Sequence, residues 1–296
     1  MKKRSKMKCF LGNESISYSK LINIVVYYIV MASYLHIHGH AKINPEEKQV
    51  PALIVFGDSI VDPGNNNYLA TIGKANFLPY GRDFPGGIPT GRYSNGKVPS
   101  DFFAEELGIK ELVPPYLDPD LQISDLLTGV SFASGVSGYD PSSAKLEELY
   151  ALGARRIGVI NAPPCGCLPS QRLLHGGLLR ACAEEENKAS ILFNNKLSFQ
   201  LASLNQKLAK SRIVYLDIYK PFLNLINNPS QSGFEVVDRG CCGTGNIEVS
   251  VLCTKLDPGT CQDASKYIFW DSFHPTETTY RLIVHEVLQK SLGDFF

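Results

Sequence analysis

The chain has 296 residues, of which 44% are hydrophobic, with 29 basic and 29 acidic side chains. This is enough apolar sequence for one substantial core, of a size common among α/β domains. Beyond the first 41 residues there is no basic patch and no alternation of basic and aromatic residues, which argues against a nucleic-acid partner.

Residues 1–41 have the pattern of a secretory signal peptide. A basic head, MKKRSKMK, precedes the 15-residue apolar run LINIVVYYIVMASYL, and Gly39 and Ala41 offer small residues for cleavage. The run is short for a membrane span, and an uncleaved signal anchor is the alternative. Cleavage removes six basic residues and one acidic residue, which takes the formal charge from +0 to −5. We expect a secreted, extracellular protein without stable membrane insertion, with one domain at residues 42–296.

Apolar runs that end near glycine predict buried parallel strands. The predicted strands are ALIVFGDS (residues 52–59) and residues 129–135, 154–160 and 211–219. The predicted helices are residues 100–108, with Ser100 as N-cap, 142–152, 179–209 and 277–289. Strands that alternate with helices predict a parallel sheet covered on both faces, whose ligands bind beyond the carboxyl ends of the strands.

Seven cysteines follow residue 41, and in a secreted chain most of them should pair, with one left over. They are Cys165, Cys167, Cys182, Cys241, Cys242, Cys253 and Cys261. Four of the seven lie within residues 241–261, so we expect this loop-rich segment to be closed by disulfides. The spacings CGC and CC differ from the two-residue spacing of a zinc knuckle, and no metal site is expected.

Ser59 lies in the Gly-Asp-Ser turn that ends the first predicted strand, where a nucleophilic serine would be exposed above the sheet with its own N–H free. The alternative is a helix N-cap. A nucleophile needs a general base, and of the three histidines after residue 41, His274 has a carboxylate three residues earlier, Asp271. In one tight turn that carboxylate can hold the imidazole. A capping aspartate beside a surface histidine is the alternative. His175 has no acidic residue close in sequence, and His285 lies inside the C-terminal predicted helix beside Val284 and Val287, as a packed or half-exposed residue.

Six segments, in this order, carry a family resemblance. They are LIVFGDSIVDPGNNN (53–67), FPGGIPTGRYSNGKVPSDFFAEELG (84–108), GVSFASGVSGYDP (129–141), LGARRIGVINAPPCGCLPSQR (152–172), RGCCGTG (239–245) and FWDSFHPTE (269–277). With these motifs the chain resembles the plant-type GDSL esterase/lipase family of the SGNH hydrolase superfamily. Ile60 stands where the leucine of the family name would be.

The resemblance implies a flavodoxin-like three-layer α/β/α sandwich with a parallel sheet. It implies Ser59 as nucleophile, His274 as general base and Asp271 as the acid that orients the base. The family's oxyanion hole takes the N–H of the serine, a glycine N–H that maps to Gly135, and an asparagine side chain. Because the alignment there is loose by one residue, the Val136 N–H is the alternative donor. No cofactor is implied.

The chain departs from the family in two places. Cys165 stands where an apolar residue is usual, which makes it the candidate for the unpaired thiol. The family's Gly-x-Asn-Asp block is absent, since no asparagine lies between Asp140 and Leu152. We interpret this as an internal deletion near residues 145–146. In the strand order 2-1-3-4-5 it removes the central third strand, between residues 52–59 and 154–160.

The sequence therefore predicts a secreted serine hydrolase of acyl or lipid esters, impaired by the loss of the asparagine. The substrate is a small-molecule or lipid ester. One alternative is a non-catalytic remnant of the family that binds acyl or glycan ligands, and another is an acyltransferase. A chain that fails to fold stably is the third. The sequence does not indicate an oligomeric state.

Overall fold

The computed structural model describes residues 50–138, 146–257 and 259–296. The predicted signal peptide and residues 139–145, which carry most of the proposed deletion junction, lie outside these ranges.

Within the described residues, the regular strands form two separate two-stranded parallel sheets. β1 (Arg156–Ile160) pairs with β2 (Arg212–Leu216), and β3 (Val236–Gly240) pairs with β4 (Tyr267–Phe269). Apolar residues dominate β1 and β2, as expected for buried parallel strands. The helices are α1 (Pro99–Glu106), α2 (Ile123–Leu126), α3 (Leu146–Ala151), α4 (Pro169–His175), α5 (Glu184–Lys207), α6 (Tyr219–Asn227) and α7 (Glu277–Ser291). The predicted α/β class with parallel strands is confirmed.

The predicted strands at 52–59 and 129–135 are reduced to isolated parallel bridges, from Ser131 to Val55 and from Ser131 to Pro115. The Val55 N–H donates to Val130 at 3.0 Å, and the Val55 carbonyl accepts from the Phe132 N–H at 2.8 Å. No bridge joins the other edge of residues 52–59 to a described strand. Ile54 and Phe56 are 57% and 55% exposed, whereas a central parallel strand is normally covered on both faces. The prediction of a buried first strand is therefore wrong.

Helix bounds differ from the predicted ones in ways that caps explain. The helix predicted at 100–108 is α1, whose N-cap is Val98, while the predicted N-cap Ser100 has a buried hydroxyl without a partner. The Asp101 carboxylate takes over the capping role by accepting the Val98 N–H at 3.1 Å. The C-terminal helix α7 extends two residues beyond the predicted end, and Thr276 caps it by accepting the Thr279 N–H.

Helix α7 closes the core on two sides. Tyr280, Val284 and Leu288 pack against Val98 and Phe102 of the α1 region. Its other buried residues join β2, α6 and β4 in the largest apolar cluster. Because α7 begins only three residues after His274, burial of this helix fixes the loop that precedes it.

Three disulfides are present, Cys167–Cys182, Cys241–Cys261 and Cys242–Cys253. The predicted closure of residues 241–261 is confirmed, and so is Cys165 as the free thiol. Closing such loops lowers the entropy of the unfolded chain.

The closed segment is also held by Glu248. Its carboxylate accepts the N–H groups of Thr244 at 2.9 Å, Asn246 at 2.9 Å and Ile247 at 3.1 Å. Although burial opposes ionisation, these hydrogen bonds lower the pKa of Glu248 to about 2. The Glu248 carbonyl accepts the Ser272 N–H at 2.9 Å, which ties this segment to the loop before α7.

A buried ion pair joins the long loop before α1 to that helix. Arg92 contacts Asp101 in two places, Nε to Oδ2 at 2.7 Å and Nη2 to Oδ1 at 2.8 Å. Their side chains are 6% and 0% exposed. Asp101 also accepts the N–H of Val113 at 3.0 Å, so one carboxylate organises three segments.

Asp101→Ala should lower the free energy of unfolding by about 3–5 kcal/mol, because it leaves Arg92 charged, buried and unpaired. Urea unfolding followed by circular dichroism measures the loss. Glu286→Ala breaks the surface pair with Lys290 and should cost less than about 1 kcal/mol. Equal losses in the two variants would contradict the assignment.

Glu248→Gln should destabilise the protein at pH 7 by about 1–3 kcal/mol, because the neutral amide is a weaker acceptor for three N–H groups. A carboxylate whose folded pKa is about 2, below its ordinary value of 4.5, stabilises the fold above pH 4.5 and loses that effect as the pH falls through 2. The difference between the two proteins in urea unfolding should therefore be smaller at pH 3 than at pH 7. A difference that grows at pH 3 would refute this account, and Glu235→Gln, at an exposed carboxylate, is the control.

Candidate active site

Ser59 lies at the carboxyl end of the segment that contains Val55, in a tight turn. The Asp58 carboxylate accepts the Ile60 N–H at 3.0 Å, and the Asp58 carbonyl accepts the Val61 N–H at 3.3 Å. Ser59 is half-buried, and its N–H has no hydrogen-bond partner among the described residues. The turn thus presents a serine hydroxyl and an unused N–H at the same point.

His274 lies between Ser59 and Asp271. Its Nε2 is 2.8 Å from Ser59 Oγ, and its Nδ1 is 2.8 Å and 3.0 Å from the two carboxylate oxygens of Asp271. Asp271 is fully buried and His274 is 5% exposed. The structure therefore brings the three predicted residues together in the order hydroxyl, imidazole, carboxylate.

The turn of residues 271–274 explains why the three-residue spacing works. Asp271 Oδ1 accepts the N–H groups of Phe273 at 2.8 Å and His274 at 2.7 Å. The Trp270 N–H donates to the His274 carbonyl at 2.7 Å. These hydrogen bonds close the turn around the Asp271 carboxylate, which contacts the imidazole of a residue in the same turn.

The other two histidines have different surroundings. His285 lies on α7 and pairs with Glu106 at 3.1 Å. His175 is 53% exposed and pairs with Glu186. Neither contacts Ser59, in keeping with the choice of His274 from the sequence.

The N–H of Gly135, one of the predicted oxyanion donors, is already used. It donates to Asp62 Oδ2 at 2.9 Å, while Asp62 Oδ1 accepts the N–H groups of Gly64 and Asn65 at 2.8 Å and 2.7 Å. Burial raises the pKa of Asp62, although these N–H groups act in the opposite direction. The next N–H along the chain, that of Val136, has no partner among the described residues. This arrangement favours the alternative donor, Val136.

Val136 has an unusual backbone for a β-branched residue. Its φ is 72°, in the left-handed region, and its side chain is 79% exposed. Such a conformation persists only when the surroundings impose it. Here Gly135 is held on one side by Asp62, and the Ser137 hydroxyl donates to the Gly57 carbonyl at 2.9 Å on the other. The loop is thereby fastened to the turn of Ser59.

Among the residues that the structure describes, no asparagine near these strand ends replaces the missing amide. Asn65 donates to the carbonyls of Ser131 and Ala133, both at 2.8 Å. Asn66 donates to the carbonyls of Gly73 and Gly135 at 2.7 Å and 2.9 Å. These amides hold loops together and are not available to a ligand.

Two buried tyrosines beside the imidazole and the carboxylate were not found from the sequence. The Tyr80 hydroxyl donates to Asp271 Oδ2 at 2.7 Å, and the Tyr93 ring lies 5.0 Å from the His274 ring. Burial, and then the charge of Asp62, raises the pKa of Tyr93 to about 12. Residues 62–100 contain no spacing pattern that connects them with residues 271–274, so no sequence signal pointed to either tyrosine.

Within the described ranges, no group of three or more His, Cys, Asp or Glu side chains is placed to hold a metal ion. In the same ranges, no helix combines the length and the apolar character that crossing a membrane requires.

The comparisons with known proteins agree on one family. Residues 137–287 match the family model described as GDSL-like Lipase/Acylhydrolase. The chain is 42% identical to GDSL esterase/lipase EXL3 of Arabidopsis thaliana, with 85% of this chain and 90% of that protein covered. It is 43% identical to GDSL esterase/lipase At5g42170 of Arabidopsis thaliana, with 87% of this chain and 90% of that protein covered.

These alignments contain more positions than the number of residues of this chain that they align. The alignment with EXL3 runs over 328 positions, whereas 85% of the 296 residues is about 252. About 76 aligned positions of that relative therefore have no counterpart in this chain. With family model and relatives in agreement, the chain belongs to the GDSL-like lipase and acylhydrolase family and is a GDSL-type carboxylic ester hydrolase.

Proposed function

We propose that the protein is a secreted serine hydrolase that cleaves acyl or lipid esters through an acyl-enzyme formed on Ser59. The observation that carries the proposal is the continuous contact from Ser59 Oγ to His274 Nε2 and from His274 Nδ1 to Asp271, at 2.8 Å in each case. Nucleophile, base and orienting acid at hydrogen-bond distance are the arrangement that acyl transfer requires.

The reaction would proceed in two displacements. His274 Nε2 takes the proton of Ser59 as Oγ attacks the ester carbonyl carbon, and the resulting imidazolium returns it to the departing alcohol oxygen. Water, deprotonated by His274, then attacks the acyl-enzyme and releases the carboxylic acid and the free serine. Asp271 holds the Nδ1–H and stabilises the imidazolium. This route needs neither a metal ion nor an organic cofactor.

The oxyanion of the tetrahedral intermediate would be bound by two backbone donors, the N–H groups of Ser59 and Val136. The family's third donor, an asparagine side chain, is absent. Loss of one such donor costs about 3 kcal/mol of transition-state stabilisation, or about 10²- to 10³-fold in rate. The proposed enzyme is therefore slow but not inactive.

A deletion near residues 145–146 of a domain spanning residues 42–296 accounts for the missing asparagine. Two observations support it. The relatives carry about 76 aligned positions that this chain lacks. Ile54 and Phe56 are more than half exposed on a segment that would be central in a complete sheet. A lost third strand would leave that segment without its neighbour.

Secretion is supported by the chemistry of the cysteines. Three disulfides persist only in an oxidising compartment, and the signal-peptide pattern of residues 1–41 gives a route there.

A non-catalytic binding protein is the second candidate function. The missing oxyanion amide favours it, together with the exposed apolar side chains of Phe56, Phe132 and Val136. Phe56 and Phe132 stack with their centroids 5.3 Å apart. Such a remnant would retain a surface for acyl or glycan ligands without turning them over.

Labelling with a fluorophosphonate and hydrolysis of p-nitrophenyl butyrate separate the two. We expect the purified mature protein to be labelled once and to hydrolyse the ester. Ser59→Ala should abolish labelling and reduce hydrolysis by about 10⁴-fold or more. Ser100→Ala, which removes a buried hydroxyl without a partner, should leave both unchanged.

Absence of labelling in a monomeric and cooperatively unfolding protein would overturn the enzyme proposal and favour the binding function. Absence of labelling in aggregated protein would mean that the shortened sheet does not fold stably.

A further inference from the structure

The buried Asp271 carboxylate has a partner whose orientation is fixed. Tyr80 is completely buried, and its hydroxyl oxygen lies 2.7 Å from Asp271 Oδ2. The same oxygen accepts the N–H of Ser250, also at 2.7 Å. Since an N–H can only donate, the tyrosine proton is directed at the carboxylate. Tyr80 is thus a donor to Asp271 that has no freedom to rotate its hydroxyl elsewhere.

The ring that carries this hydroxyl is held by aromatic neighbours. Tyr80 makes edge contacts with Phe77, Tyr93 and Trp270, with centroids 5.8 Å, 6.1 Å and 6.1 Å apart. A close-packed ring of this kind cannot swing away from its partner without a cavity opening. Burial, and then the charge of Asp271, raises the pKa of Tyr80 well above its ordinary value, so the hydroxyl keeps its proton.

The two carboxylate oxygens of Asp271 accept hydrogen bonds from different sets of donors. Oδ1 accepts the two N–H groups of its own turn, from Phe273 and His274, and lies 3.0 Å from the imidazole Nδ1. Oδ2 accepts the Tyr80 hydroxyl and faces the imidazole at 2.8 Å. The torsion that turns a carboxylate about its bond to Cβ has broad, shallow minima. Without Tyr80, Oδ2 would have the imidazole as its sole described partner.

Ser250 connects this bond to the disulfide-closed segment. The segment between Cys242 and Cys253 contains Ser250, whose N–H donates to the Tyr80 hydroxyl oxygen. The Ser250 hydroxyl lies 2.8 Å from the Lys74 carbonyl, which fixes the residue from its other side.

We propose that Tyr80 is a positioning residue for ester hydrolysis: its hydroxyl holds the Asp271 carboxylate in the orientation that fixes His274 Nδ1–H and keeps Nε2 on Ser59. The inference rests on the proposed function, because it assigns Tyr80 a part in that reaction. Tyr80 does not meet the substrate, since it is fully buried.

Tyr80→Phe tests the proposal kinetically, with Tyr280→Phe as the matched control. Tyr280 is also buried, at 3% exposure, and its hydroxyl has no partner. With p-nitrophenyl butyrate we expect Tyr80→Phe to lower kcat about tenfold at unchanged KM, and Tyr280→Phe to change neither. In an Asp271→Asn background the effect of Tyr80→Phe should largely disappear, because the two residues act through one contact. Additive effects would overturn the proposal.

A second measurement does not depend on turnover. The low-field proton resonance of the His274 Nδ1–H, assigned by its loss in His274→Gln, should move in Tyr80→Phe and stay in place in Tyr280→Phe. An unmoved resonance in folded Tyr80→Phe would overturn the inference whatever the activity. A moved resonance in a protein that neither hydrolyses the ester nor reacts with the fluorophosphonate would refute the proposed function and leave the positioning contact established.

Discussion

The carboxylate of Asp271 is the constraint around which the site is arranged. A charge without solvent contact is tolerated only when its oxygens are hydrogen-bonded. Asp271 meets this requirement with two N–H groups of its own turn, the imidazole and a tyrosine from a distant loop. Each donor also fixes something else, namely the loop before α7, the ring of His274 and the loop of Tyr80. The contacts that compensate this buried charge are thus the same contacts that assemble the site.

Residues close together in sequence were predictable, and long-range partners were not. Asp271 and His274 lie in one turn, so their spacing was enough to pair them, and the glycine-bounded turn after an apolar run indicated Ser59. Tyr80 is 191 residues away from Asp271, and nothing local records that contact. The position of Gly135 after a predicted strand indicated it as an oxyanion donor. Its N–H donates to Asp62 instead, a contact that forms only in the folded protein because the two residues are far apart in sequence.

Burial of a strand is likewise a property of its neighbours. Residues 52–59 have the apolar run of a central strand, yet Ile54 and Phe56 are exposed, and no described strand pairs with their free backbone edge. The local sequence is compatible with a complete sheet, and the structure around it is shorter. The described fold is held by α7, by the pair of Arg92 with Asp101 and by the closed segment at 241–261. Of these, α7 follows the 271–274 loop directly, and the closed segment is tied to it through the bond from Ser272 to Glu248.

The unpaired Cys165 has a consequence for how the protein acquires its bonds. It lies two residues before Cys167 in the turn CGC, so its thiolate reaches nearly the same space as the one that must join Cys182. During oxidation the two sulfurs compete for Cys182, and a Cys165–Cys182 disulfide is corrected when the Cys167 thiolate attacks the Cys182 sulfur and Cys165 leaves as the thiol. Pairing of Cys167 with Cys182 thus depends on which of two neighbouring thiols reacts first, and exchange within residues 165–182 restores it without an external thiol.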